Sequence, residues 1–90
     1  MLIISYDIAE DKLRTKFSKY LCKFGGRLQY SVFEIRNSDR VLENICTQIT
    51  ASFEKKFSQT DSVLIFDLSK QCKITRYGYA KNTETDLLII

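Results

Sequence analysis

The hydrophobic pattern of the first third of the chain predicts a strand followed by a helix. Residues 2–8 are almost continuously apolar, which is typical of a strand buried on both faces. From Leu13 to Phe24 the apolar residues recur every three or four positions, which is the period of an amphipathic helix. Gly25-Gly26 follows directly. Because glycine commonly ends a helix, we expect this helix to extend to Phe24.

Asp7 stands at the junction between the predicted strand and helix. With Glu10 three residues later it fits a capping box, so the helix is expected to begin between residues 8 and 11. A carboxylate at the carboxyl end of a buried strand also occupies the place where open α/β sheets bind ligands. Both interpretations stay open on the sequence, and the helix cap is the more ordinary of the two.

The phase of the pattern changes in the segment after the two glycines. Leu28, Tyr30 and Val32 alternate with polar residues, as the buried face of one strand would. Phe33 and Ile35 continue on the opposite phase, so a single straight strand cannot bury all five side chains. The slip near Val32-Phe33 therefore predicts either a bulge or a break between two strands.

The remaining pattern predicts a second helix and further strands. Asn37-Ser38-Asp39 supplies cap residues for a helix whose apolar period continues from Val41 to Phe57. Strands are then expected at 63–66, more weakly at 72–77, and at 87–90. The order β-α-β(β)-α-β-β-β predicts an α+β fold, with the helices on one face of a mostly antiparallel sheet.

The chain length and its last residues both indicate self-association. A single domain of 90 residues buries only about 60% of the surface that its unfolded chain exposes. The apolar residues 87–90 follow a polar loop, and an apolar strand there needs a sheet edge, which a second copy can supply. We therefore expect a homodimer, with a domain at residues 1–78 and a C-terminal loop and strand at residues 79–90 near the dimer or partner interface.

The composition excludes several kinds of chemistry. The chain has no His, which rules out His-based catalytic triads, imidazole metal ligands and a His general base. Cys22, Cys46 and Cys72 form no C-x-x-C motif, which argues against a disulfide framework or a structural zinc site. We interpret them as small buried hydrophobic residues. Catalysis would depend on carboxylates, hydroxyls, Lys, Arg or a metal bound mainly by oxygen.

No part of the sequence predicts membrane association. The uninterrupted apolar runs are only a few residues long, so none of them could span a bilayer. Met1 leads directly into the first apolar run without a basic region or a small-residue cleavage site, so no signal peptide is visible. We expect a cytoplasmic protein.

Basic residues are concentrated in and just after the first predicted helix. The net charge is only +3, yet the segment from Lys12 to Arg27 contains six basic residues and no acid. On a helical wheel four lysines fall within about 60° of one another. A solvated helix face is the ordinary explanation, but a stripe of one sign repels itself and favours a polyanionic partner. We predict that nucleic acid binds Lys12, Lys16, Lys19, Lys23 and Arg27.

Several short motifs, spread over essentially the whole chain, resemble those of one known family. Each motif is weak by itself, but together and in register they are specific. The family is that of the small universal CRISPR-associated adaptation protein, the partner of the spacer integrase. The motifs are Tyr6-Asp7-Ile8, Asp11 with Arg14, Gly25-Gly26, Gln29-Tyr30-Ser31-Val32-Phe33-Glu34, Asp61-Ser62-Val63, and Gly78 after Lys73-Ile74.

The resemblance implies a ferredoxin-like βαββαβ fold with an additional C-terminal strand, arranged as a homodimer. It also implies that Asp7 is the catalytic and metal-binding residue, with Asp7 of both subunits holding one Mg²⁺ or a similar oxygen-preferring cation such as Mn²⁺. Tyr6, Arg14, Ser31 and Phe33 match positions that line this acidic pair. For Arg14, an ion pair with Asp11 is an equally good explanation.

More than one function is compatible with this resemblance. Some members are metal-dependent endonucleases that act on single-stranded RNA or double-stranded DNA. Others are non-catalytic scaffolds that bind duplex DNA on their basic surface and bridge the integrase subunits. A stand-alone ribonuclease toxin on the same fold is a further alternative, whereas a ligand-sensing ferredoxin-like domain suits the basic helix poorly.

Overall fold

A computed structural model describes residues 1–36, 39–68 and 73–78 of the chain. These residues form five strands and two helices, and the second helix continues into a π-helical and a 3₁₀ turn. In chain order the elements are β1 (Leu2–Asp7), α1 (Asp11–Leu21), β2 (Gly26–Gln29), β3 (Val32–Ile35), α2 (Asp39–Gln48) with its π turn (Ile49–Phe53) and 3₁₀ turn (Glu54–Lys56), β4 (Ser62–Asp67) and β5 (Lys73–Gly78).

The five strands form one antiparallel sheet in the order β2-β3-β1-β4-β5. The central strand, β1, pairs with β3 on one side and with β4 along its whole length on the other. The first four strands and the two helices have the βαββαβ order and strand arrangement of a ferredoxin-like fold, which β5 extends at one edge. The predicted α+β, ferredoxin-like fold is therefore confirmed.

The hydrophobic core lies between the sheet and the two helices. Alternate residues of β1, β3 and β4 face the helices, because side chains along a strand point to opposite faces in turn. Phe17 of α1 is completely buried and meets the ring of Tyr6 edge to face at a centroid distance of 5.1 Å. The ring of Phe53 meets Phe17 at 4.9 Å, which joins the π turn to the same cluster.

The first helix is shorter than the sequence predicts. It begins at Asp11, with Glu10 as the N-cap and no side-chain cap, so the expected capping box of Asp7 and Glu10 is wrong. Three residues separate Asp7 from the helix, too far for its carboxylate to reach the first turn. The helix ends at Leu21 rather than Phe24, and its C-cap, Cys22, keeps right-handed helical dihedrals.

The structure contains both features that the phase slip predicts as alternatives, a break between two strands and a bulge. A two-residue turn at Tyr30-Ser31 separates β2 from β3, and the pairing of the two strands shifts register between Arg27 and Gln29. Leu28 and Tyr30 are consequently 53% and 69% exposed, so their expected burial in one strand face is wrong.

The second helix and the strands around 63–66 and 72–77 are confirmed, whereas Asn37, Ser38, Cys72 and the predicted segment 79–90 lie outside the described residues.

The face of the sheet that points away from α1 and α2 carries several apolar side chains that no helix of the described residues covers. Ile3 of β1 pairs with Glu34 and Phe66 on its two sides, and Ser5 pairs with Val32 and Leu64. These side chains are all half-buried, because neighbouring strands cover only their flanks. We call this surface the open face.

Gly25 is required by a close approach of two backbones. A Cβ atom at this position would collide with the carbonyl oxygen of Glu34 and lie 2.8 Å from Cγ1 of Ile35. We expect Gly25→Ala to lower the free energy of unfolding by about 1–3 kcal/mol, the usual cost of overpacking. Gly26→Ala is the matched control, since a Cβ at Gly26 meets nothing within 4 Å. Urea unfolding curves measure both, and equal midpoints for the two variants would contradict this account.

Candidate functional site

Asp7 is the last residue of β1 and its side chain is exposed. It is aligned with Ser62 at the start of β4, on the same face of the sheet as Ser5 and Ile3. Within the described residues no hydrogen bond or ion pair involves its carboxylate. The carboxylate therefore projects at the rim of the open face without the capping role that the sequence suggests.

A second carboxylate, Asp61, holds the backbone next to Asp7 in place. It is only 2% exposed, and its Oδ1 accepts a hydrogen bond from the Ala9 backbone N–H at 3.0 Å. The backbone N–H and the hydroxyl of Ser58 also donate to the Asp61 carboxylate, each at 2.9 Å. Asp61 thus ties the segment between β1 and α1 to the loop before β4.

These hydrogen bonds stabilise the ionised form of Asp61. Burial by itself raises the pKa of Asp61, but the donors from Ser58 and Ala9 outweigh it, and the net pKa lies below its ordinary value. A buried charge without such donors would be costly, so the ionised carboxylate and its loop geometry depend on each other. At neutral pH the ionised carboxylate therefore holds the segment that follows Asp7 through its bond to Ala9.

A cleft of about 350 Å³ lies on the other side of β1, between α1 and the β2–β3 hairpin. Because consecutive strand residues point to opposite faces, Tyr6 lines this cleft while Asp7 faces away from it. Basic and aromatic side chains dominate its walls. They include Tyr6, Arg14, Lys19, Arg27 and Tyr30.

Arg14 forms the ion pair that the sequence suggests, and it lines the cleft rather than the surface that carries Asp7. Its guanidinium forms an ion pair with the exposed Asp11 and donates to the backbone oxygens of Ile8 at 3.0 Å and Ala9 at 3.3 Å. The hydrogen bond with Asp11 raises the pKa of Arg14, so it carries its positive charge throughout the accessible pH range. The predicted ion pair is present, and the same side chain also lines the cleft, where its Cζ lies 6.0 Å from the centroid of the Tyr30 ring.

Arg27 is fixed on the opposite wall of the cleft. It donates to the hydroxyl of Ser18 and, at 3.3 Å, to the backbone oxygen of Tyr30. Its guanidinium lies 5.3 Å from the ring centroid of Phe33, which is completely buried. The buried ring of Phe33 thus packs against the guanidinium of Arg27, which lines the cleft. Ser31 lies in the hairpin turn, where its carbonyl oxygen accepts the Tyr6 N–H at 3.1 Å.

The predicted lysines divide between two surroundings. Lys12, Lys16 and Lys19 project from α1 into solvent, and no ion pair involves them within the described parts of the chain. Lys19 also lines the cleft. Lys23 lies beyond the end of α1, with its ammonium 5.9 Å from the ring centroid of Tyr20, so a continuous four-lysine helical stripe is wrong in that part. We call Lys12, Lys16 and Lys19 the lysine row.

Three residues of this region are missed by the sequence argument. The motif Asp61-Ser62-Val63 draws attention to Asp61 but does not indicate the bonds that its carboxylate accepts. Tyr30 follows the alternation of a buried strand face, and only the turn and register shift make it an exposed wall of the cleft. Cys22 is an exposed free thiol on the cleft, which corrects its expected burial, while Cys46 is half-buried.

One chain does not contain a complete set of metal ligands in its described residues. No group of three or more His, Cys, Asp or Glu side chains is close enough there to bind an ion. No helix in those residues is long and apolar enough to cross a membrane. The site thus consists of one projecting carboxylate on the open face and a basic cleft behind it.

A small ferredoxin-like domain with this carboxylate at the end of its first strand has a close match among known families. The family described as CRISPR associated protein Cas2 matches residues 1–76. The chain belongs to this family, which confirms the resemblance found in its motifs.

Individual relatives agree with the family match. The chain is 35% identical over 91 aligned positions to the CRISPR-associated endoribonuclease Cas2 2 of Methanospirillum hungatei, covering 98% of this chain and 97% of the relative. It is 34% identical over 82 positions to the CRISPR-associated endoribonuclease Cas2 4 of Rhodospirillum rubrum, covering 91% of this chain and 64% of the relative. A shorter stretch of 35 residues is 51% identical to the CRISPR-associated endoribonuclease Cas2 of Thermus thermophilus, covering 39% of this chain and 37% of the relative.

The bonds of Asp61 make a testable contribution to stability. We expect Asp61→Ala to lower the free energy of unfolding at pH 7 by about 1–3 kcal/mol, because it removes the charged acceptor of three part-buried hydrogen bonds from Ala9 and Ser58. The native pKa of Asp61 is lowered, so its contribution is complete above the unfolded pKa and is lost as the pH falls through the native pKa. Urea unfolding between pH 7 and pH 3 measures this.

The exposed acid Glu43 on α2 provides the control, as Glu43→Ala. The wild-type protein and the Glu43 variant should both lose stability on acidification more steeply than the Asp61 variant. Parallel pH profiles for all three proteins would contradict the assigned role of Asp61.

Proposed function

We propose that this protein is a metal-dependent endonuclease of a CRISPR system that hydrolyses phosphodiester bonds as a homodimer. The observation that carries the proposal is the projecting carboxylate of Asp7, which caps no helix and has no partner within the described residues. A solvent-facing carboxylate at the end of this strand is a group that metal-assisted hydrolysis can use, and without a protein partner in the described residues it is available to an ion. Relatives that match most of this chain carry the name CRISPR-associated endoribonuclease.

The residues present fit Mg²⁺, or Mn²⁺, only when two copies come together. Mg²⁺ prefers oxygen ligands and keeps several waters, so one or two carboxylates are enough to bind it. Asp7 of each copy would hold the ion, which when bound would activate a water molecule and stabilise the charge that develops on the phosphate. Asp61 keeps the backbone after Asp7 in place, and the cationic side chains of Arg14 and Arg27 lie on the other side of β1.

The open face supports the proposed homodimer. It carries half-buried apolar side chains, among them Ile3, Val32, Leu64 and Phe66, which a second sheet would cover. Asp7 lies at the rim of this same face, so packing two copies through it would bring their carboxylates toward each other. The cytoplasm, where Mg²⁺ and nucleic acid are both available, is the proposed location.

The lysine row favours a second function, that of a scaffold in spacer acquisition. Lys12, Lys16 and Lys19 are exposed, unpaired within the described chain, and suited to the phosphate backbone of duplex DNA. In this function the protein would hold DNA and bridge the CRISPR integrase subunits whether or not Asp7 is catalytic. Both functions use the same fold and dimer, and the match to a CRISPR-associated family favours them over a stand-alone toxin.

The nuclease function predicts that cleavage depends on Asp7. We expect Asp7→Asn to reduce Mg²⁺-dependent cleavage of labelled single-stranded RNA or duplex DNA by at least about 100-fold, the scale of losing one charge-stabilising group. Nucleic-acid binding and folding should persist, because the side chain is exposed and structurally unpaired in the described residues. Glu10→Gln removes an equally exposed carboxylate nearby and should cleave like the wild type.

The same samples are assayed with EDTA, and their mass in solution is measured by light scattering. Cleavage that continues in EDTA, or that Asp7→Asn leaves intact, would contradict the nuclease function. A monomeric mass for an active protein would contradict the shared site.

The scaffold function predicts that DNA binding depends on the lysine row. We expect Lys12→Glu with Lys16→Glu to weaken duplex binding and to reduce the slope of log K against log salt by roughly two, since each phosphate contact contributes about one. Lys55→Glu with Lys56→Glu makes the same change of charge on the 3₁₀ turn and is the control. Fluorescence anisotropy over a salt series measures both, and equal losses in the two variants would indicate only a net-charge effect.

A further inference from the structure

The cleft between α1 and the β2–β3 hairpin has the size and chemistry of a small ligand site. Its volume of about 350 Å³ falls within the range of about 300–1,000 Å³ that is usual for ligand pockets. Three cationic side chains, Arg14, Lys19 and Arg27, line it together with two tyrosines, and no carboxylate does so among the lining residues. An anionic ligand with an aromatic part would match this wall.

The cationic side chains differ in how far their charge is already neutralised. Arg14 is paired with Asp11, so its charge is largely compensated. Arg27 and Lys19 have no ion pair within the described residues. The two bonds of Arg27, to Ser18 and to the backbone of Tyr30, orient its guanidinium and leave further N–H donors for a phosphate.

The ring of Tyr30 provides a stacking surface beside these charges. The side chain is 69% exposed and lies in the turn that follows β2. Arg14 lies near the ring at 6.0 Å, and the bond from Arg27 holds the Tyr30 backbone, so the ring is positioned although it is exposed. Unpaired bases stack on such rings, whereas paired bases in a duplex remain stacked on one another.

We propose that this cleft binds one nucleotide of a single-stranded nucleic acid, with its phosphate at Arg27 and Lys19 and its base stacked on Tyr30. The inference deepens the proposed function, on which it rests for nucleic acid as the ligand. It assigns single strands to the cleft, which includes Lys19 of the lysine row, and leaves duplex DNA to Lys12 and Lys16. The site lies behind β1 from Asp7, so it holds a strand without contacting the reacting phosphate in the same chain.

The test measures binding of a short single-stranded oligonucleotide that carries 2-aminopurine, with EDTA present so that no cleavage occurs. Tyr30→Ala should weaken binding roughly 5- to 100-fold and abolish the quenching of 2-aminopurine, which reports stacking. Tyr30→Phe keeps the ring and should retain both. Leu28→Ala is the control, because Leu28 is an exposed apolar residue of the preceding strand, β2, and does not line the cleft.

Binding of duplex DNA and displacement by AMP distinguish this proposal from a duplex site and from a mononucleotide site. Duplex DNA of the same sequence should bind all these variants within about twofold of the wild type. Wild-type affinity of Tyr30→Ala for single strands, or an equal loss for duplexes, would overturn the proposal. AMP that displaces the oligonucleotide at an equal concentration would do so as well, since the occupant would then be a free mononucleotide.

The proposed nuclease function can fail separately. Binding that depends on Tyr30 together with no cleavage by the wild type would contradict the nuclease function and retain the cleft. Cleavage that depends on Asp7 together with unchanged binding by Tyr30→Ala would support the nuclease function and contradict the proposed nucleotide site in the cleft.

Discussion

The pairing of β1 on both of its sides is the constraint on which the rest of the molecule depends. β1 is the only described strand that joins both halves of the sheet, with β3 on one side and β4 on the other. Its register with β4 extends from Leu2 to Asp7, and its alternate side chains supply the centre of the core. A one-residue slip would exchange the buried and exposed sets along the whole strand. The positions of Tyr6 and Asp7 are therefore determined by the same pairing as the core.

Strand alternation at the end of β1 explains how one short segment serves two surfaces. Tyr6 turns toward the helices and enters the basic cleft, while Asp7 turns toward the open face and projects as a carboxylate. The carboxylate of Asp7 and the cationic side chains of the cleft are thus separated by the thickness of the sheet. A carboxylate facing Arg14 and Arg27 directly would be neutralised by them, whereas one on the opposite face remains available to a cation.

Asp61 connects the segment after β1 to the loop before β4. Its buried carboxylate accepts hydrogen bonds from the segment after β1 and from the loop before β4, and its own backbone packs closely against Gly78 of β5. Gly78 has a φ of +69°, a conformation that glycine adopts without strain. Two loop segments and the end of β5 therefore meet at one residue, Asp61. This end of the sheet is consequently held by a few specific hydrogen bonds in addition to the packing of buried residues such as Val63 and Tyr77.

The sequence by itself determined the class of fold and the most informative residue, and the tertiary structure decided the surfaces. Apolar periods placed both helices and the strands around 63–66 and 72–77, because burial against a common core requires those periods. Apolar periods could not predict where α1 ends, that Tyr30 is exposed, or that Asp7 caps no helix. These features depend on the approach of Gly25 to β3, on the shifted register of β2, and on the bond between Ala9 and Asp61. The first two are contacts across the β2–β3 hairpin and the third joins residues 52 positions apart, and a local pattern of hydrophobic and polar residues carries no record of how segments pair with one another.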